Sequence, residues 1–184
     1  MCIEMSTLPV EVWLITNSGN IDSLTSPFRG EWWELPPGVR SGDADLYKGY
    51  EESESSVLAA IATHKPNALL GQSQGAILLF SMLIRGVLKD YQGSIILNGI
   101  QYPKPFDVLI DELVAKGDKM FTGGRVLLVV GSNDNISPPA GAMRCLSVLK
   151  VLCDEVEVCE HEGGHSVPIH DENASRIMLQ YCLR

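Results

Sequence analysis

The chain has 184 residues, 45% of them hydrophobic, which is enough for one folded domain with a sizeable core. Lys and Arg number 14 against 23 Asp and Glu, and the net charge of −9 argues against nucleic acid or an anionic membrane surface as the main partner. Small neutral or apolar substrates stay open.

The first residues, Met1 to Ser6, lack a basic region followed by an apolar core, and no apolar run reaches the length of a membrane span. A signal peptide or membrane span is therefore not expected, and the expected location is the cytoplasm. Five cysteines (Cys2, Cys145, Cys153, Cys159 and Cys182) form no Cys-x-x-Cys pair, which fits reduced thiols better than a disulfide frame or a zinc site.

Val10 to Thr16 is β-branched and apolar, a first strand that ends in the turn cluster Asn17-Ser18-Gly19-Asn20. From Ile21 to Tyr50 punctuation replaces periodicity, with Pro27, Pro36-Pro37-Gly38 and Gly49 around Trp32-Trp33. A structured excursion of that length is often functional. The Trp pair has two readings, as the roof of an acyl pocket or as a pin holding the excursion to the core. Glu51 to His64 carries Val57, Leu58, Ile61 and Ala62 at the spacing of one helix face, and Glu51, Glu52 and Glu54 read as its solvated start.

Asn67 to Phe80 holds the most informative pattern. Ala68 to Leu70 is a short apolar run, Gly71-Gln72-Ser73-Gln74-Gly75 follows, and a helix-compatible run begins at Ala76. Gly-x-Ser-x-Gly between a strand and a helix is the nucleophile elbow, where small residues on either side of the serine let the two backbones approach. The same five residues also arise by chance, and it is the strand-to-helix switch around them that favours the elbow.

Beyond it, Ser94 to Leu97 reads as a buried strand closed by Asn98-Gly99, and Phe106 to Met120 as a helix. Arg125 to Val130 is an unbroken apolar run, as expected of a central parallel strand, and leads into Gly131-Ser132-Asn133-Asp134-Asn135. A helix from Pro138-Pro139 to about Lys150, a strand over Glu155 to Cys159 and a helix over Glu172 to Tyr181 complete the series. Alternating strands and helices predict an α/β fold, a doubly wound and mostly parallel sheet with helices on both faces.

In such sheets the chemistry gathers where strands end and loops begin. Three strand ends carry Ser73, Asp134 and His165, in the Ser, Asp, His order of the α/β hydrolases. His165 would take the serine proton during attack on a carbonyl and return it to the leaving group, while Asp134 would fix the imidazole tautomer. The amide of Gln74 would donate to the developing oxyanion. Of four histidines, His165 alone follows a strand by a Gly-Gly loop; His161 is the second candidate.

His161-Glu162-Gly163-Gly164-His165 also matches His-Glu-x-x-His, whose zinc chemistry needs both histidines on one helix face. Two adjacent glycines, a preceding β-type run and Pro168 weigh against a helix there.

These residues together resemble the FSH-type serine hydrolases of the α/β-hydrolase superfamily. The resemblance rests on Gly71-Gln72-Ser73-Gln74-Gly75-Ala76, where the family usually has an aromatic residue in place of Gln72, and on Trp32-Trp33 and Tyr47-Lys48-Gly49-Tyr50-Glu51-Glu52-Ser53. Gly131-Ser132-Asn133-Asp134 and His161 to Pro168 complete it. It implies hydrolysis of small carboxylic esters or thioesters by Ser73, Asp134 and His165, without metal or cofactor.

The family also has one more strand, ending in a Leu-His-Gly type of loop that supplies a second oxyanion donor. Here Val10 to Thr16 resembles the strand after it. The absent strand is a central one, so its loss is expected to leave a hole in the sheet with costly unpaired backbone groups. Two readings follow: a truncated or alternatively started form, which is preferred, or a first strand moved inward with Asn17 to Asn20 as the oxyanion loop. An open sheet edge would make a homodimer plausible. Trp32, Trp33, Phe28 and the helix from Phe106 suggest an apolar acyl pocket.

Overall fold

The computed structural model describes residues 11–15, 21–28 and 31–183. Among the described residues six strands form one sheet: β1 (Glu11–Ile15), β2 (Ile21–Ser23), β3 (Ala68–Gln72), β4 (Ser94–Asn98), β5 (Phe121–Gly131) and β6 (Cys153–His161), in the order β2-β1-β3-β4-β5-β6. Strands β3 to β6 are parallel; β1 runs antiparallel to both β2 and β3. Five helices accompany them: α1 (Tyr50–His64), α2 (Gln74–Ile84), α3 (Asp107–Lys116), α4 (Pro139–Leu152) and α5 (Glu172–Cys182). This is the predicted mostly parallel α/β sheet.

The strands sort their side chains by period two. Val12 and Leu14, Leu69, Ile95 and Leu97, and Val126, Leu128 and Val130 face a large core with α1 to α4. Trp13 and Ile15, Ala68 and Leu70, Ile96, and Leu127 and Val129 face a smaller core with Ala174, Met178 and Tyr181 of α5. Both faces carry helices, four on one side and one on the other. Such burial on both sides explains why β3, β4 and the end of β5 are buried at every position and mostly apolar.

Three sequence expectations change. No hole separates β1 from the elbow strand, because β1 pairs directly with β3, Glu11 opposite Gln72 and Ile15 opposite Ala68. The inward shift satisfies the ladder groups that an absent strand would have orphaned. The excursion contains a short strand, β2, that the sequence pattern did not show. Glu54 is not solvated: it is buried, and its carboxylate bonds Arg85 Nε at 3.0 Å and the Tyr50 hydroxyl at 3.1 Å, tying α1 to the end of α2. Glu51 and Glu52 are exposed, as a helix start predicts.

Candidate active site

Ser73 sits between β3 and α2 with φ 56° and ψ −117°, one of two non-glycine residues with positive φ among those described. Such a conformation costs about 1–3 kcal/mol and persists where the surroundings over-determine it. Here they do. The Ser73 amide donates to the Asn98 carbonyl at 3.0 Å and its own carbonyl accepts from Ile77 at 3.1 Å. Gly71 permits the turn, since a Cβ there would lie 2.5 Å from the Gly75 carbonyl oxygen and 2.6 Å from the Ala76 nitrogen.

Gln74 opens α2, so its backbone amide is one of the first-turn donors that a helix leaves unbonded. Its side chain is occupied elsewhere: Oε1 accepts the Trp32 backbone amide at 2.9 Å.

Asp134 follows β5 and is almost wholly buried. One carboxylate oxygen accepts backbone amides from Ile136 at 2.8 Å and Ser137 at 2.7 Å; the other lies 2.8 Å from His165 Nδ1. Every orientation of this carboxylate but one breaks a bond, so the imidazole meets a fixed acceptor. His165 Nε2 is buried and has no hydrogen-bond partner, Ser73 included.

The structure therefore brings Ser73, Asp134 and His165 to one end of the sheet. His161 is elsewhere in role: it is the last residue of β6, its Nδ1 accepts the Gly163 amide at 3.1 Å, and its Nε2 is buried without a partner. Burial holds its pKa below the usual imidazole range, against the pull of Asp171 and Asp134. Residues 162–165 are not helical, so the His-Glu-x-x-His pattern does not stack its histidines one turn apart.

Sequence reasoning missed three neighbours. Gln72 Nε2 donates to the His165 carbonyl at 2.6 Å, Asn98 Nδ2 donates to the same oxygen at 3.2 Å, and Asn98 Nδ2 also bonds Gln72 Oε1. Gly99, at φ 60°, backs the imidazole so closely that a Cβ would lie 2.8 Å from Cε1. The only signals were the departure at Gln72 and the Asn98-Gly99 turn, which read simply as a strand end.

The Trp pair pins the excursion. Both rings are fully buried, Trp33 stacks on Tyr47 at 4.1 Å between centroids, and the Ser53 hydroxyl bonds the Trp32 carbonyl. Phe106 packs edge-on against Tyr47 and Tyr50 in the same cluster, and the Phe28 ring lies against Gly49. Neither Trp32 nor Trp33 has ring surface left to line an open pocket. A cavity of about 470 Å³ does open beside the Asp134 loop, bounded by Arg40, Gln101, Tyr102, Lys104, Ile136 and Arg144. Its lining is charged as well as apolar.

Asn17 to Asn20 lie outside the described residues. The end of β1 that leads into them, Ile15, pairs with Ala68 at the far end of β3 from Ser73.

A family model described as Serine hydrolase (FSH1) matches residues 16–177. No curated protein matches the sequence. Among solved structures, a carboxylesterase of Bacillus cereus superposes with a TM-score of 0.61 at 16% identity, over 89% of this chain and 76% of that one. A single-residue variant of Arabidopsis thaliana SOBER1 gives 0.57 at 17% identity, over 96% and 82%. A carboxylesterase from Mesorhizobium loti gives 0.56 at 18%, over 89% and 76%. At these identities the likeness establishes the α/β-hydrolase fold alone. The family model, matching most of the chain and both ends of its Ser, Asp, His series, shows that this chain belongs to the FSH1 serine hydrolase family.

Proposed function

We propose that the protein hydrolyses small carboxylic esters or thioesters through an acyl-enzyme on Ser73. The observation that carries this reading is the His165 imidazole, bonded to Asp134 through Nδ1 while Nε2 is left without a partner, at the strand ends that also hold the strained Ser73 turn. With its proton on Nδ1, the ring offers Nε2 as a base. Ser73 Oγ attacks the carbonyl carbon and its proton passes to Nε2; the tetrahedral oxyanion takes the Gln74 amide. Collapse breaks the bond to the alcohol or thiol, which leaves with the proton from Nε2. Water then repeats the two steps on the acyl-serine and frees the acid. Asp134 holds the imidazole in that tautomer and stabilises the imidazolium each time it forms.

The apolar acyl pocket expected from Trp32 and Trp33 forms no part of this proposal, because both rings are sealed in the core. A second reading, a hydrolase fold with impaired catalysis, is favoured by one observation: β1 ends at Ile15, opposite Ala68, at the end of β3 away from Ser73, where a second oxyanion donor is needed. One such donor is worth about 2.7–4 kcal/mol of transition-state stabilisation.

Intact-mass analysis after exposure to a fluorophosphonate, on the native chain and on Ser73→Ala with circular dichroism of both, separates the readings. A single adduct that the variant loses is the expected result. A folded native chain that takes no adduct selects the impaired form.

A further inference from the structure

Gln72 and Asn98 are paired across β3 and β4 at the carboxyl end of the sheet, and both are buried amides on the face whose other positions in these two strands are Ala68, Leu70, Ser94 and Ile96. Apolar side chains would fill those two positions without needing partners. Instead the amides form a closed set: Asn98 Nδ2 to Gln72 Oε1, Gln72 Nε2 to the His165 carbonyl at 2.6 Å, and Asn98 Nδ2 to that carbonyl at 3.2 Å. A carbonyl accepts only, which fixes both amide orientations. Asn98 has a second role, because its own carbonyl accepts the Ser73 amide at 3.0 Å. One residue thus holds the backbone of the nucleophile with its main chain and the backbone of the base with its side chain. Gln72 does the same by covalent attachment, as the residue before Ser73.

His165 needs such a hold. It follows Gly163-Gly164, which restrain the backbone least of any residues, and Asp134 fixes the ring at one atom only. With the carbonyl clamped by two donors and the ring backed by Gly99, rotation about the Nδ1 bond is closed off. We propose that Gln72 and Asn98 are positioning residues that set the His165 imidazole against Ser73 by clamping the His165 main-chain carbonyl to the ends of β3 and β4. The proposal rests on the roles assigned above to Ser73 and His165.

The test compares native protein, Gln72→Met and Asn98→Leu, each near-isosteric and without a donor, by ester hydrolysis and by the low-field Nδ1–H resonance of His165 in histidine-labelled protein. The expected result is a kcat lowered about 10-fold or more with KM held within about twofold, and a resonance broadened or lost while circular dichroism stays native. Gln72→Asn, which keeps an amide but shortens its reach, gives the same readout should Gln72→Met not fold. Native-like kcat and resonance in any folded variant overturn the clamp. The resonance reports on the ring without turnover, so a chain that hydrolyses nothing refutes the ester reading while the clamp is still decided by the resonance.

Discussion

Asp134 shows how little freedom the site leaves a single side chain. Its two oxygens share three partners, two of them backbone amides of its own loop. Asp134→Asn would keep the shape but could present an amide N–H to His165 Nδ1, reversing the tautomer and taking the base away from Nε2. The expected loss in kcat is about 10³–10⁴-fold with KM little changed, measured by steady-state hydrolysis of a reactive ester. His161 makes the opposite case, a histidine held neutral. Its Nδ1 accepts an N–H and its folded pKa is depressed by burial, so below about pH 6.5 the unfolded chain binds more protons there than the folded one. This contribution to stability is complete above that pH and is lost as the pH falls through the depressed value. Urea midpoints should decline from neutral pH toward about pH 5, and His161→Gln, which can accept from Gly163 but cannot charge, should flatten the decline.

The elbow is the element on which the rest depends, and its demand is spatial. A Cβ at Gly71 would overlap the backbone of Gly75 and Ala76, and backbone cannot move aside as a flexible side-chain tip can. Gly71→Ala should therefore lower the unfolding free energy by about 1–3 kcal/mol in urea titrations and slow labelling of Ser73 by prising strand from helix. This demand was legible: two glycines around a serine, after a short apolar run and before a long one, carry it in local sequence. The direction of β1 was not. Alternation with period two reads the same from either end, so Val12-Trp13-Leu14-Ile15 declares a buried strand without declaring which way it runs. Strand β2 escaped because three residues make no period at all.

Across the whole molecule, the inward place of β1 alters what the sheet exposes. The premise for edge-to-edge pairing of two chains was an unpaired interior strand, and β3 has partners on both sides. The outer strand β6 carries exposed Asp154, Glu155, Glu157 and Glu160, a row of like charge that opposes pairing with its own copy. Light scattering should report a monomer; a stable dimer at low salt, where that repulsion is least screened, would contradict this. Among the described residues no helix is long and apolar enough to cross a membrane.

Local chemistry settled in the sequence the identity of nearly every helix and strand and the strand-turn-helix elbow, because apolar period, glycine and turn residues act over a few neighbours; the Ser73, Asp134 and His165 series it picked out is what the proposed function rests on. Partnership settled the rest. Glu54 looked like a solvated helix start until Arg85 lay 3.0 Å away, and the Trp pair's two readings were separated only when Tyr47 stacked on it. Gln72 and Asn98 are polar residues whose purpose is a carbonyl 93 and 67 positions away. A buried polar group takes its meaning from whatever satisfies it, and that partner is chosen by the fold as a whole.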